Sequence, residues 1–185
     1  MPRKYDIDFP QGATPLEMEL VAFLYRCGDG RQTHFKRIVA YCWPERVWHD
    51  WTERRIDGLA RYDFVSWAGC ASAGKTDDAG LYAMIWWLAD PAHSTVILTS
   101  TTGKMIRRRI WPVIQRLYHG FCTDSHKYGT PKYDFPGDLI DSEMTLRAKF
   151  NDTRRDSKSA IFAKAVKDGN TSKAAADIQG MHNRR

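Results

Sequence analysis

At roughly 150 residues per domain, a chain of 185 residues is one domain. A hydrophobic fraction of 43%, with seven Trp, eight Tyr and eight Phe, supplies a real core and excludes a disordered tail. No stretch approaches the ~18 consecutive apolar residues of a membrane span, and the N-terminus lacks the apolar run of a secretory signal. Cys27, Cys42, Cys70 and Cys122 form no CxxC pair, so neither a zinc site nor a disulfide framework is indicated. The expectation is a soluble intracellular protein with free thiols. The net charge of +6 is unevenly placed: between Pro91 and Thr123 there is no acid, while Lys104, Arg107, Arg108, Arg109 and Arg116 are all basic. Such a single-sign block fits an anionic partner, phosphate or nucleic acid, or else a solvated helix face.

In chain order, residues 1–60 read as a helical segment. Thr14-Pro15-Leu16-Glu17 has the spacing of a capping box with Pro at the first helical position. Leu16, Leu20, Phe23, Leu24 and Cys27 then fall on one helical stripe, and Gly28-Asp29-Gly30 stops it. Phe35, Ile38, Val39 and Cys42 predict a second helix, and a third runs from Glu45 to Leu59. Trp43, Trp48 and Trp51 pack these helices together; the alternative is base stacking.

Character changes near Tyr62. Asp63-Phe64-Val65-Ser66-Trp67 reads as a short buried strand, followed by a glycine-rich loop and a helix with Leu81, Met84, Ile85 and Leu88 on one side. Ser94 to Thr99 is the next strand, β-branched and buried. A further helix runs from about Thr102 to His119, with Ile106, Ile110, Val113, Ile114 and Leu117 as its stripe and a kink at Pro112. Strand, loop, helix, strand, helix is the pattern of a parallel α/β sheet. Ser125–Asp138 reads as loop, Met144–Phe150 and Ser159–Val166 as a β-hairpin, and Ser172–Ile178 as a short helix. The expected fold is an α/β parallel-sheet P-loop core over 61–185, with the N-terminal helical segment in front and the hairpin inserted.

The chemistry is carried by Gly69-Cys70-Ala71-Ser72-Ala73-Gly74-Lys75-Thr76, which fits the P-loop pattern G-x-x-x-x-G-K-[ST] completely. Glycines let backbone N–H groups curl around phosphate oxygens with no Cβ in the way. Lys75 brings a point charge to the β- and γ-phosphates, and the Thr76 hydroxyl reaches Mg²⁺. The loop opens a helix, whose N-terminal partial charge favours an anion. Cys70 lies near that helix start and Lys75, both of which favour a thiolate. It is either a reactive thiol or merely a small residue filling the loop.

At the end of the next strand, Ser100, Thr101, Thr102 and Lys104 are placed to touch nucleotide phosphate or a nucleic-acid backbone, since ligands sit at strand C-termini in open parallel sheets. Thr101 or Thr102 would equally serve as a helix cap. On a helical wheel Lys104 and Arg108 lie opposite the apolar stripe, flanked by Arg107 and Arg109, a face suited to sequence-independent contact with double-stranded DNA. A Walker B element, an apolar strand ending in Asp, is not evident. Leu139-Ile140-Asp141-Ser142-Glu143 is the nearest match and is too short for a central strand, which makes Asp141 a surface residue.

These residues carry a resemblance. Asp50-Trp51-Thr52-Glu53-Arg54-Arg55, then Phe64 to Thr76, then Thr99-Ser100-Thr101-Thr102 with Arg109-Ile110-Trp111, resemble the ATPase domain of a tailed-phage terminase large subunit. Ile178-Gln179-Gly180-Met181-His182 is similar to the segment preceding Walker B in that family. The resemblance implies an ATP-driven DNA translocase in the bacterial host cytoplasm, packaging genomes into proheads, with portal protein, small terminase subunit and further copies of itself as partners. Walker B and the family's nuclease domain are missing, so a truncated reading frame or a fragment is expected. Mg-ATP binding would then be weak and hydrolysis near background. The family often places an arginine among the variable P-loop residues, and Cys70-Ala71-Ser72-Ala73 has none. A helicase-type ATPase and a non-hydrolysing nucleotide- or DNA-binding module are the alternatives.

Overall fold

The computed structural model describes residues 9, 12–24, 38–39, 43, 49–124, 135–149 and 159–165. The expected helix over Ser172–Ile178, the Ile178–His182 motif and most of the second N-terminal helix lie outside these residues. Helix α1 (Pro15–Leu24) begins at the expected capping box. The Thr14 amide donates to Glu17 Oε2 at 2.6 Å and the Glu17 amide donates to Thr14 Oγ1 at 3.2 Å. Its buried side includes Leu16, Leu20, Phe23 and Leu24, the stripe read from the sequence. Helix α2 covers Asp50–Arg61 and α3 covers Lys75–Ala89.

Helix α3 is the centre of the molecule. Leu81, Met84, Ile85, Trp87 and Leu88 are each fully buried, and Gly80, Ala83 and Ala89 are buried with them. A helix apolar nearly all round must be enclosed by other elements. Here α1, α2, the helix that follows the first strand, and the sheet all pack on it. Space on one side is tight: a Cβ at Gly80 would lie 2.6 Å from Val113 Cγ1, so glycine is what lets the two helices approach.

Strand β1 (Thr95–Ser100) is followed by one continuous helical run, α4, over 103–124. It opens with an α turn, Gly103–Met105, widens to a π turn over Ile106–Ile110, and continues as α-helix from Trp111 to Asp124. The sequence marks Pro112 as the point of irregularity, and the structure resolves it by widening the turn just before it. Proline has no N–H to continue the ladder, and the extra residue absorbs the break. The register after it shifts. Trp111, absent from the expected stripe, is buried beside Ile106, Val113, Ile114 and Leu117, while Ile110 is only partly covered.

The chain then forms β2 (Gly137–Ile140), a single 3₁₀ turn (Asp141–Glu143), β3 (Thr145–Ala148) and β4 (Ala160–Ala165). Among the described residues, four strands form one sheet in the order β1-β4-β3-β2. β1 and β4 are parallel, Thr95 opposite Ala160 through Ser100 opposite Ala165. β3 runs antiparallel to both β4 and β2. The protein is therefore α/β with a mixed sheet, not a purely parallel one. The hairpin is present as β3 and β4, but it is no insertion, because β4 is the strand that β1 pairs with. Gly137 and Asp138, read as loop, belong to β2.

The expected strand Asp63–Trp67 is the main correction. Residues 64–70 are unpaired, and Phe64 is 95% exposed. A groove of about 960 Å³, lined by Tyr62, Val65, Trp67, Tyr82, Trp86 and Thr95 to Leu98, lies between the segment and β1. Aromatic and β-branched residues favour an extended backbone, but nothing in that preference specifies a pairing partner. Among the described residues, no helix is long and apolar enough to cross a membrane.

The close approach at Gly80 is testable. Overpacking of this kind costs about 1–3 kcal/mol, more than the gain in helix propensity from Ala. Gly80→Ala should lower unfolding stability in urea, and combining it with Val113→Ala should cost less than the sum of the two single changes. Strict additivity would show that the helices do not meet there.

Candidate functional site

The glycine-rich segment Gly69–Thr76 joins the unpaired stretch to the N-terminus of α3. Its local shape follows from two residues with positive φ, Ser72 at 62° and Gly74 at 73°. At Gly74, which is also the residue preceding the first helical position, a side chain would be strained. The turn throws Lys75 back over the loop. Its Nζ donates to the carbonyl oxygens of Gly69 (2.9 Å) and Cys70 (2.6 Å). An ammonium has three N–H donors, so one remains beyond these two bonds. Thr76 is half-buried in the first helical turn, and Cys70 and Ala71 are exposed.

Two acids, Asp77 and Asp78, occupy that first turn. Unpaired, they would repel an anion approaching the helix N-terminus. Each is matched by an arginine. Asp77 pairs with Arg116 of α4. Asp78 is 1% exposed and accepts from Thr52 Oγ1 at 2.8 Å and from Arg55 Nη1 at 2.6 Å, both donors coming from α2. Arg55 Nη1 also donates to the Ala73 carbonyl at 2.6 Å, and its guanidinium lies 5.9 Å from the centre of the Trp67 ring. Sequence reading placed Thr52 and Arg55 within a family-like motif but gave them no task. They stand 26 and 23 positions from Asp78, too far for any local pattern to reveal.

Beside the loop is a recess of about 270 Å³, lined by His49, Trp51, Thr52, Ser72, Ala73, Gly74, Asp77 and Asp78. His49 and Trp51 stack there with ring centres 4.4 Å apart and planes 9° from parallel. Trp51 is 50% exposed, so it does not pack helices as expected. Trp43 is buried, and its contact is with α4, the indole N–H donating to Leu117 O at 2.8 Å. Trp48 lies outside the described residues.

The remaining predicted residues sit on α4 and its approach. Ser100 ends β1. Thr102 is the N-cap, its Oγ1 accepting from the Met105 amide at 3.2 Å, so the capping reading holds for it. Thr101 points its hydroxyl at Met105 Sδ, 3.8 Å away. Lys104, Arg107, Arg108 and Arg109 are all exposed, the three arginines within the π turn. Asp141 is exposed at the end of the edge strand β2 and accepts from Trp111 Nε1 (2.6 Å) and Gln115 Nε2 (2.7 Å). Set against protein-family models, curated proteins and solved structures, the chain matches none of them.

The two carboxylates of the first turn should behave differently. Removing one partner of a buried ion pair costs about 3 kcal/mol or more, whereas an exposed pair contributes at most about 1 kcal/mol. Asp78→Ala should therefore lower stability in urea unfolding far more than Asp77→Ala, and equal losses would contradict the burial of the Asp78 network.

Proposed function

We propose that the chain is a P-loop ATPase domain of the kind that drives DNA packaging, similar to the N-terminal part of a terminase large subunit. The observation that carries this reading is the loop itself. An eight-residue segment with the complete phosphate-loop pattern turns left-handed at Gly74, enters the N-terminus of a buried helix, and holds its lysine across the loop. Backbone N–H groups at a helix N-terminus, with a lysine beside them, constitute an anion site.

In this reading Gly69 to Thr76 cradle the nucleotide phosphates and Lys75 releases one or both carbonyls to reach them. Mg²⁺ would be held by the Thr76 hydroxyl together with phosphate oxygens. The neighbouring Asp77 and Asp78 are engaged by arginines, so the ion would arrive with the nucleotide rather than wait in a protein cage. The exposed Trp51–His49 stack beside Gly74 offers an aromatic face to the rest of the nucleotide. Lys104, Arg107, Arg108 and Arg109 contact the backbone of double-stranded DNA without reading bases, the chemistry a translocase needs on any sequence. By resemblance, portal protein, the small terminase subunit and further copies of the chain are its partners, in the host cytoplasm.

A second reading, a nucleotide-binding module without turnover, is favoured by one feature. The carboxylate of Asp141 is taken up by Trp111 and Gln115.

Two measurements test the proposal. Cys70 is exposed within the loop, so alkylation read at Cys70 by mass spectrometry should be slowed by Mg-ATP. Equal labelling rates with and without nucleotide would speak against binding at this loop. For DNA, each phosphate contact adds roughly 0.9 to the slope of log K against log salt. The double variant Arg107→Ala/Arg108→Ala should flatten that slope by up to about two units. An unchanged slope and affinity would remove the basic turn from the DNA interface.

A further inference from the structure

We infer that Arg55 is the positioning residue that sets the phosphate loop, holding the Ala73 carbonyl from α2. This rests on the nucleotide-binding reading above and deepens it. The loop positions Cys70 to Ala73 contain no cation, yet a guanidinium from α2 is hydrogen-bonded to the loop backbone. Arg55 Nη1 spends one N–H on Ala73 O and the other on Asp78 Oδ2, both at 2.6 Å.

The first bond has a consequence for the loop's inner side. In a trans peptide the C=O of one residue and the N–H of the next point in opposite directions. Holding Ala73 O outward therefore turns the Gly74 N–H the opposite way. Gly74 has the left-handed backbone that makes such a peptide orientation available, and Arg55 Nη1 is 3.8 Å from where its Cβ would be. The second bond holds Arg55 itself. Its side chain is 14% exposed and Asp78's 2% exposed, so neither charge is free to drift into water. Thr52 steadies the other carboxylate oxygen. The arrangement is a chain of contacts from the buried carboxylate of Asp78 in α3, through Arg55 of α2, to the Ala73–Gly74 peptide. Arg55 Nη1 is bonded to Ala73 O and Asp78 Oδ2, so its task in this inference is to order the backbone. Preorganised donors bind an anion without first paying to be aligned.

The test measures Mg-ATP affinity by calorimetry, and the melting temperature without nucleotide, for the wild type, Lys75→Ala, Arg55→Ala and Arg55→Lys. A hydrogen bond to a charged group accounts for about 10-fold or more in an equilibrium. Arg55→Ala should weaken Mg-ATP by about that factor, and guanidinium chloride at low millimolar concentration should recover part of the loss, which a merely structural role would not allow. Arg55→Lys keeps the charge but is shorter, and should fall between wild type and Arg55→Ala. Should Arg55→Ala not fold, Arg55→Lys decides alone, and affinity equal to wild type overturns the inference. So does Arg55→Ala binding like wild type while Lys75→Ala does not bind, an outcome that leaves the nucleotide reading standing. No saturable binding by the wild type overturns both.

Discussion

The carboxylate of Asp78 is 1% exposed, and a charge that deep must be met by donors or it destabilises the fold. It is met by Thr52 and Arg55, both on α2. That requirement docks α2 against the first turn of α3, and it brings a guanidinium to the peptide of Ala73. The geometry of the loop ahead of α3 therefore depends on an interaction outside the loop. The rest of α3 is secured by apolar burial, with α1, α2, α4 and the sheet closing around Leu81, Met84, Ile85, Trp87 and Leu88. Only the side of α3 carrying Ala79, Tyr82 and Trp86 opens on the groove beside β1.

Much of this was legible where the determinants are local. The capping box at Thr14 and Glu17, the apolar stripe of α3, and the β3–β4 hairpin all follow from spacing within a few residues. The loop motif is legible for the same reason, since its pattern is contiguous. What sequence could not show is pairing at a distance. Asp63–Trp67 has strand-like composition but no ladder partner among the described residues, while β1 takes β4 as its neighbour, Thr95 opposite Ala160. Arg55 carries no local signal, because its two acceptors are 18 and 23 positions away. The π turn was half legible: Pro112 announced a break, but not that the turn before it would widen and bring Trp111 inward.

Helix α4 connects three parts of the molecule. Its exposed π turn carries the basic run, Arg116 pairs with Asp77 in the first turn of α3, and Trp111 and Gln115 hold Asp141 at the end of β2. A π turn is a local irregularity often found at functional positions, and here it carries three adjacent exposed arginines. The basic face lies on α4 and the loop leads into α3, with the Arg116–Asp77 pair as one contact between the two helices. Burial of Val113, Ile114 and Leu117 keeps that element seated while its polar side stays available.

The central claim is that the backbone of Gly69–Thr76 receives phosphate. It is tested most directly by following the amide resonances of the protein while Mg-ATP is added. The account predicts that the largest shifts fall on Gly74, Lys75 and Thr76, that they saturate, and that they vanish in Lys75→Ala. Shifts confined to other parts of the chain, or a loop whose amides ignore the nucleotide, would contradict it.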